Sequence, residues 1–199
     1  MDKKILLVNA CARQESRTLR LARKVLESMK SQATEINIYQ EIAAGNISPL
    51  EDSFIKFRQE CSAKKDFTDK HFRCARMFSE ADAIIIAAPY WDLSFPAALK
   101  IFLENICVDQ LTFKYSEKGY PIGLCKAKDI AYISTAGGPI YGDYGSGYVK
   151  TLCETLLGIR NFHLLQAENL DIYGNDPEKI LEEKYAIAAD IARQINREK

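Results

Sequence analysis

The sequence predicts an α/β chain: a doubly wound, five-stranded parallel sheet of order 2-1-3-4-5 with helices on both faces. Three observations predict it. Short apolar, β-branched runs alternate with segments of helical periodicity from one end to the other. Four of the five strand-like runs are apolar almost throughout, as strands covered on both faces must be. The loops after the first, third and fourth runs carry the residues that read as ligand-binding, which places a site where strand order reverses.

Taken in order, residues 5–8 (Ile-Leu-Leu-Val) read as the first strand, and 18–30 as a helix with Leu19, Ala22, Val25, Leu26 and Met29 at helical spacing. Residues 35–39 read as the second strand. The stretch 45–80 is longer than one crossover needs; helices over 51–61 and 66–79 make it a helical insertion within a single domain spanning 1–199. Residues 83–88 form the third strand. A helix over 96–107 follows, with Pro96 at its first position after Ser94. Residues 129–134 and 162–165 give the last two strands, separated by a helix over 147–157, and a C-terminal helix over 177–196 carries Ile180, Leu181, Tyr185, Ile187, Ala188 and Ile191 on one stripe. Right-handed crossovers connect the strands.

Lys plus Arg and Asp plus Glu both number 27, so no basic surplus exists to neutralise a nucleic-acid backbone. No apolar run approaches the roughly 20 residues that cross a bilayer, and the N-terminus lacks a signal-peptide core. The expectation is a cytoplasmic protein with neither nucleic acid nor membrane as partner. The six cysteines (Cys11, Cys61, Cys74, Cys107, Cys125, Cys153) form no CxxC pair and have no His at ligand spacing, which suits a reducing compartment and argues against a zinc or iron–sulfur site. His71 and His163 read as structural.

The first loop, 9–18, crowds Arg13, Arg17 and Arg20 around the start of a helix, where acids are the usual occupants. Two readings stay open: an anion held by Ser16, Thr18 and adjacent amides, or an exposed turn with Ser16 as N-cap and solvated arginines. The third strand runs into Pro89-Tyr90-Trp91-Asp92-Leu93-Ser94, where Trp91 is either a platform for a flat ligand or a core anchor. The fourth ends in Thr135-Ala136-Gly137-Gly138, where the glycines allow close backbone approach or simply a tight turn. Tyr141 and Tyr144 follow in a glycine-rich stretch. Together the three loops suit a cofactor with one phosphate and one broad planar ring, the shape of flavin mononucleotide (FMN).

With those residues in view, the chain resembles the flavodoxin-like NAD(P)H:quinone oxidoreductases and FMN-dependent NADH-azoreductases. The motifs that carry the resemblance are Cys11-Ala12-Arg13 with Ser16-Arg17-Thr18, then Pro89-Tyr90-Trp91-Asp92-Leu93 with Ser94-Phe95-Pro96-Ala97-Ala98-Leu99-Lys100, then Thr135-Ala136-Gly137-Gly138. They occur in order over nearly the whole chain.

The resemblance implies a flavodoxin-like fold and an FMN site that includes Cys11 and in which Ser16, Arg17 and Thr18 hold the phosphate. Pro89, Tyr90, Trp91, Asp92 and Leu93 would line the ring with main-chain amides, and Thr135, Ala136, Gly137 and Gly138 would border its other side. It also implies a homodimer with the flavin near the interface, to which the apolar helix over 96–108 is suited. Phe113, Tyr115 and Tyr120 would line a substrate pocket contributed by the second subunit, with Tyr141 or Tyr144 as polar neighbours. The chemistry implied is two-electron, ping-pong hydride transfer from NADH or NADPH to a quinone, azo compound or similar conjugated acceptor, with the flavin carrying it and no protein residue required as acid or base.

Two positions depart from the family pattern. Cys11 stands where Ser is usual, exchanging a hydroxyl donor for a weak thiol donor. Asp92 stands where Asn is usual; its carboxylate either lowers the flavin potential or is held protonated. A non-enzymatic flavodoxin-type electron carrier is the alternative reading, and steady NAD(P)H oxidation distinguishes the two.

Overall fold

Successive side chains of a strand point to opposite faces, so a strand covered on both sides must be apolar at every position. Three strands show this alternation directly. Leu6 and Val8 of β1 (Ile5–Asn9), Ile84 and Ile86 of β3 (Ala83–Ala87), and Ile130 and Tyr132 of β6 (Asp129–Thr135) enter one core. Their neighbours Ile5 and Leu7, Ala83 and Ile85, and Ala131 and Ile133 enter a second core on the other face. With β2 (Ala33–Asn37) and β7 (Asn161–Ala167) they form one parallel sheet of order β2-β1-β3-β6-β7. Counting only its strands, this is the predicted 2-1-3-4-5.

The computed structural model describes residues 3–142 and 144–197; Met1, Asp2, Asp143, Glu198 and Lys199 lie outside the described residues. One face of the sheet carries α1 (Arg17–Met29) and α8 (Tyr185–Asn196), whose Leu21, Ala22, Val25, Ala188, Ile191 and Ile195 are all buried. Lys24 of α1 also lies 5.0 Å from the centre of the Tyr185 ring. The other face carries α2 (Ile38–Ala43), α4 (Arg73–Glu80), α5 (Ala97–Ile106) and α6 (Ser146–Leu152). Between α2 and α4 run α3 (Asp52–Lys64) and a 3-10 turn (Lys70–Phe72), tied inward by Phe57 stacked 5.9 Å from Phe72. No helix among the described residues is long and apolar enough to cross a membrane.

Several predicted boundaries move, each for a local reason. The second strand is Ala33–Asn37, not 35–39, because the Asn37 side chain accepts from the amides of Tyr39 (3.1 Å) and Gln40 (3.3 Å) and starts α2 at once. A cap thus outweighs the β-propensity of Ile38 and Tyr39. Pro96 is the N-cap of α5 instead of its first residue. The C-terminal stripe is two helices, α7 (Pro177–Glu183) and α8, joined at Lys184. The predicted helix over 147–157 is α6 followed by a π-helical turn, Cys153–Leu157, which Gly158 ends at φ +77°. An antiparallel hairpin of β4 (Phe113–Tyr115) and β5 (Pro121–Gly123) was not anticipated.

The buried cysteines and the half-buried Cys107 give the fold a pH limit. Burial pushes Cys11 and Cys107 up to about 11 and Cys74 and Cys125 up to about 12 from the ordinary 9.0, and raises Cys153 as well. Below pH 9 folded and unfolded chains both keep these protons, so the stability is fully present. Above it the unfolded chain releases them first, so folding stability falls as pH rises from about 9 toward 12. The urea midpoint should therefore drop between pH 8 and pH 10, and drop less in Cys125→Val; equal losses in the two proteins would contradict this account.

Candidate functional site

All five strands of the main sheet are parallel, so their carboxyl ends share one edge, and β1 and β3 flank the point where strand order reverses. A cleft of about 370 Å³ opens there. It is lined by Cys11, Ala12, Arg13, Glu15, Ser16, Arg17 and Thr18 after β1, by Pro89, Tyr90 and Trp91 after β3, by Thr135, Ala136 and Gly137 at the end of β6, and by Leu170 and Asp171 after β7.

The β1 loop is built from the strand outward. The Ala10 amide continues the β1–β3 ladder onto the Ala87 carbonyl (2.9 Å), and the Asn9 side chain accepts from the Cys11 amide (2.9 Å) while donating to Glu35 (2.8 Å). Ser16 then caps α1, accepting from the Leu19 amide at 3.3 Å. The positive end of a 13-residue helix thus faces the cleft with its first-turn amides. Thr18 is buried and its hydroxyl lies 2.6 Å from that of Thr135. What Thr18 offers a ligand is its amide, and the hydroxyl pair pins the start of α1 to the end of β6.

The β3 loop forms a two-residue turn. Trp91 and Ser94 exchange amide–carbonyl bonds of 2.9 and 2.8 Å, with Asp92 at φ +48° and Leu93 at φ +69° between them. Turns of this type favour Asn-Gly. A left-handed leucine costs roughly 1–2 kcal/mol, and Leu93 is half exposed, so packing does not compensate the strain. Such strain concentrates at ligand sites, and the bonds that close the turn use the amides of Trp91 and Ser94. Alongside, the Tyr90 hydroxyl donates to the Tyr141 carbonyl (2.8 Å) and accepts from the Tyr141 amide (3.1 Å), while the Tyr90 amide donates to the Thr135 carbonyl (3.0 Å).

Two of the three arginines crowded around the start of α1 have protein partners. Arg17 pairs with Asp171 at 2.7 Å and Arg20 with Glu178 at 2.6 Å. Burial raises the Cys11 thiol to about 11, so it stays protonated at neutral pH; it donates weakly to the Ala87 carbonyl at 3.6 Å. Among the described residues no group of three or more His, Cys, Asp or Glu could hold a metal ion.

Comparison with known proteins bears on the family and the fold. The family described as Flavodoxin-like fold matches residues 3–191. The FMN-dependent NADH:quinone oxidoreductase 2 of Clostridium acetobutylicum is 35% identical over 205 residues, covering 96% of this chain and 98% of that protein. The chain belongs to this flavodoxin-like family. A second family member, the FMN-dependent NADH:quinone oxidoreductase of Coprothermobacter proteolyticus, is 32% identical over 204 residues with the same coverage, 96% and 98%. Among solved structures, the azoreductase from Bacillus anthracis str. Sterne has a TM-score of 0.79 at 23% identity, covering 96% of this chain and 99% of that one. The FMN-dependent NADH-azoreductase from Bacillus anthracis str. Ames Ancestor, in complex with FMN, has a TM-score of 0.78 at 22% identity, covering 99% and 100%. At those identities the two structures speak for the flavodoxin-like fold.

Within this flavodoxin-like chain the cleft gathers ten of the predicted cofactor residues: Cys11, Ser16, Arg17, Thr18, Pro89, Tyr90, Trp91, Thr135, Ala136 and Gly137. Asp92, Leu93 and Gly138 stand beside it without lining it. Tyr141 is joined to Tyr90, and the Tyr144 carbonyl accepts from the Ser94 hydroxyl (3.2 Å), so both predicted polar neighbours adjoin the β3 loop. Phe113, Tyr115 and Tyr120 sit on the β4–β5 hairpin instead, with Phe113 in a separate groove; a single chain does not bring them to the cleft. Sequence reading missed Leu170 and Asp171. Their signal was the acidic, turn-forming stretch Glu168-Asn169-Leu170-Asp171 at the carboxyl end of the last strand, on the same edge as the other loops.

Proposed function

We propose that this chain is a cytoplasmic FMN-dependent NAD(P)H oxidoreductase that reduces quinones, azo compounds or similar conjugated acceptors. The observation that carries the reading is the cleft, which joins a helix N-terminus for a phosphate to an aromatic wall for a flat ring. Its volume of about 370 Å³ falls within the roughly 300–1,000 Å³ of small-molecule sites. The donors suit FMN: first-turn amides of α1 and Arg13 and Arg17 for the phosphate, and the turn amides of Asp92 and Leu93, beside the cleft, for polar atoms of the ring edge. The named activities of the relatives support the same reading. When bound, FMN supplies hydride transfer between a reduced nicotinamide and the acceptor.

The protein's part is to bind and orient. Ser16, Arg17 and Thr18 would hold the phosphate end; Pro89, Tyr90 and Trp91 would line the ring, and Thr135 through Gly138 would border its other side. Donor and acceptor would use the same cleft in turn, so double-reciprocal plots at several acceptor concentrations should be parallel. A second copy of the chain completes the site in this reading. The exposed Tyr115 and Tyr120, and an apolar groove of about 820 Å³ lined in part by Ile55, Leu103, Phe113 and Tyr148, support such an interface. Most apolar residues of α5, Leu103 among them, are buried within its own subunit, so α5 contributes to that interface mainly through its half-buried C-cap residue Cys107 at the groove.

The test is the visible spectrum of purified protein reconstituted with FMN. A flavin spectrum that NADH or NADPH bleaches without oxygen, and a quinone restores, is the expected result. Protein that retains no flavin after reconstitution with excess FMN would overturn the reading.

A further inference from the structure

The side chains lining the cleft are electrically balanced: Arg13 and Arg17 face Glu15 and Asp171. That is an unusual lining for a site meant to hold a phosphate, which carries close to two negative charges at neutral pH. Asp171 is the acid in direct contact, with its carboxylate 2.7 Å from the Arg17 guanidinium and with both side chains partly open to solvent.

Its position is fixed by the main chain. The amides of Asn169, Leu170 and Asp171 donate to the carbonyls of Gly138 (3.0 Å), Ala136 (3.3 Å) and Gly137 (2.8 Å), which zips the β7 loop onto the β6 loop. Asn169 takes a left-handed conformation at φ +64°, and Leu170 is buried beneath the turn. Gly137 makes room for the carboxylate, since a Cβ there would lie 2.4 Å from Asp171 Oδ2; at Gly138 a Cβ would meet nothing within 4 Å. Of the two adjacent glycines, the one that lines the cleft is the one the acid requires.

We infer that Asp171 is a resident counter-anion of the cradle, holding Arg17 until a phosphate takes Arg17 over and setting how far the site prefers a phosphorylated ligand to its unphosphorylated counterpart. This rests on the FMN reading above. Asp171 is a positioning residue: it acts on the phosphate through Arg17 and through its own charge. An incoming phosphate must compete with the carboxylate for the guanidinium and tolerate a like charge beside it, whereas riboflavin, which lacks the phosphate, meets neither cost.

Flavin fluorescence quenching on apoprotein tests this without recourse to turnover. FMN and riboflavin are titrated into the native chain, Asp171→Asn and Asp171→Ser. Both variants should bind FMN more tightly by roughly five-fold, the scale of one partly exposed charge pair, with riboflavin affinity unchanged. If FMN binding weakens, Asp171 instead holds Arg17 ready for the phosphate, and the inference fails. If FMN and riboflavin shift together, the residue is merely structural, and the inference fails again. If the native chain binds FMN and the ratio of the two affinities does not move, only the inference falls; if no protein binds either flavin, the FMN reading falls with it.

Discussion

Gly123→Ala is expected to unseat the β4–β5 hairpin and to cost more than the roughly 1–3 kcal/mol of ordinary overpacking. A Cβ at residue 123 would lie 2.1 Å from the carbonyl carbon of Leu157 and 2.2 Å from the amide nitrogen of Gly158. Both obstacles are main chain, at the end of the π-helical turn, where no rotamer change makes room. Gly119, at the tip of the same hairpin, gives the contrast: nothing lies within 4 Å of its added Cβ, and only its φ of +80° opposes substitution. Gly119→Ala should therefore cost about 1–2 kcal/mol, the left-handed penalty of an L-residue.

Urea melts of the two variants measure the difference. Because the hairpin carries Tyr115 and Tyr120 but does not line the cleft, Gly123→Ala should retain FMN on the cleft residues of its own chain when reconstituted, while light scattering shows loss of the proposed dimer. Equal midpoints for Gly119→Ala and Gly123→Ala would show that the π-helical turn yields to the extra methyl group.

The second large effect concerns the hydroxyl pair between α1 and β6. Thr135→Val leaves the Thr18 hydroxyl, already sealed from solvent at 1% exposure, without the partner at 2.6 Å. Stranding a buried donor costs about 1–3 kcal/mol, whereas replacing both partners with groups of the same shape is nearly neutral. Thr18→Val and Thr135→Val should thus each destabilise the chain more than the double variant does. The single variants also loosen the start of α1 on the sheet edge, so their FMN affinity should fall about ten-fold, equivalent to about 1.4 kcal/mol, with the double variant recovering most of it. A double variant that melts at the sum of the single losses would contradict the pairing.

The sheet was legible in the sequence because Ile5–Val8, Ala83–Ala88 and Asp129–Ser134 have few polar side chains and a buried parallel strand admits almost nothing else. Helix ends were harder to read, since one side chain decides them. Asn37 turns a strand-like Ile-Tyr pair into helix, and Lys184 marks a break that the apolar stripe of 177–196 conceals. The hairpin escaped because its pairing covers only Phe113–Tyr115 and Pro121–Gly123, too short for an alternation to show.

In the site, motif order along the chain matched spatial order along the sheet edge, which is why the first three loops were found. The fourth loop had no motif, and Arg17 and Asp171 stand 154 residues apart. Clustered arginines in the first turn suggested a bound anion; the structure supplies part of the answer from within the chain, through Asp171 and Glu178.

The β7 loop is fastened onto the β6 loop, and the cleft draws its last wall from residues 170 and 171. During synthesis, then, the cradle cannot exist until the final strand has left the ribosome and slotted in at the sheet's margin. Any occupant must arrive after residue 171 has emerged, and a polypeptide stopped before that strand would have three of the walls and nothing to close them.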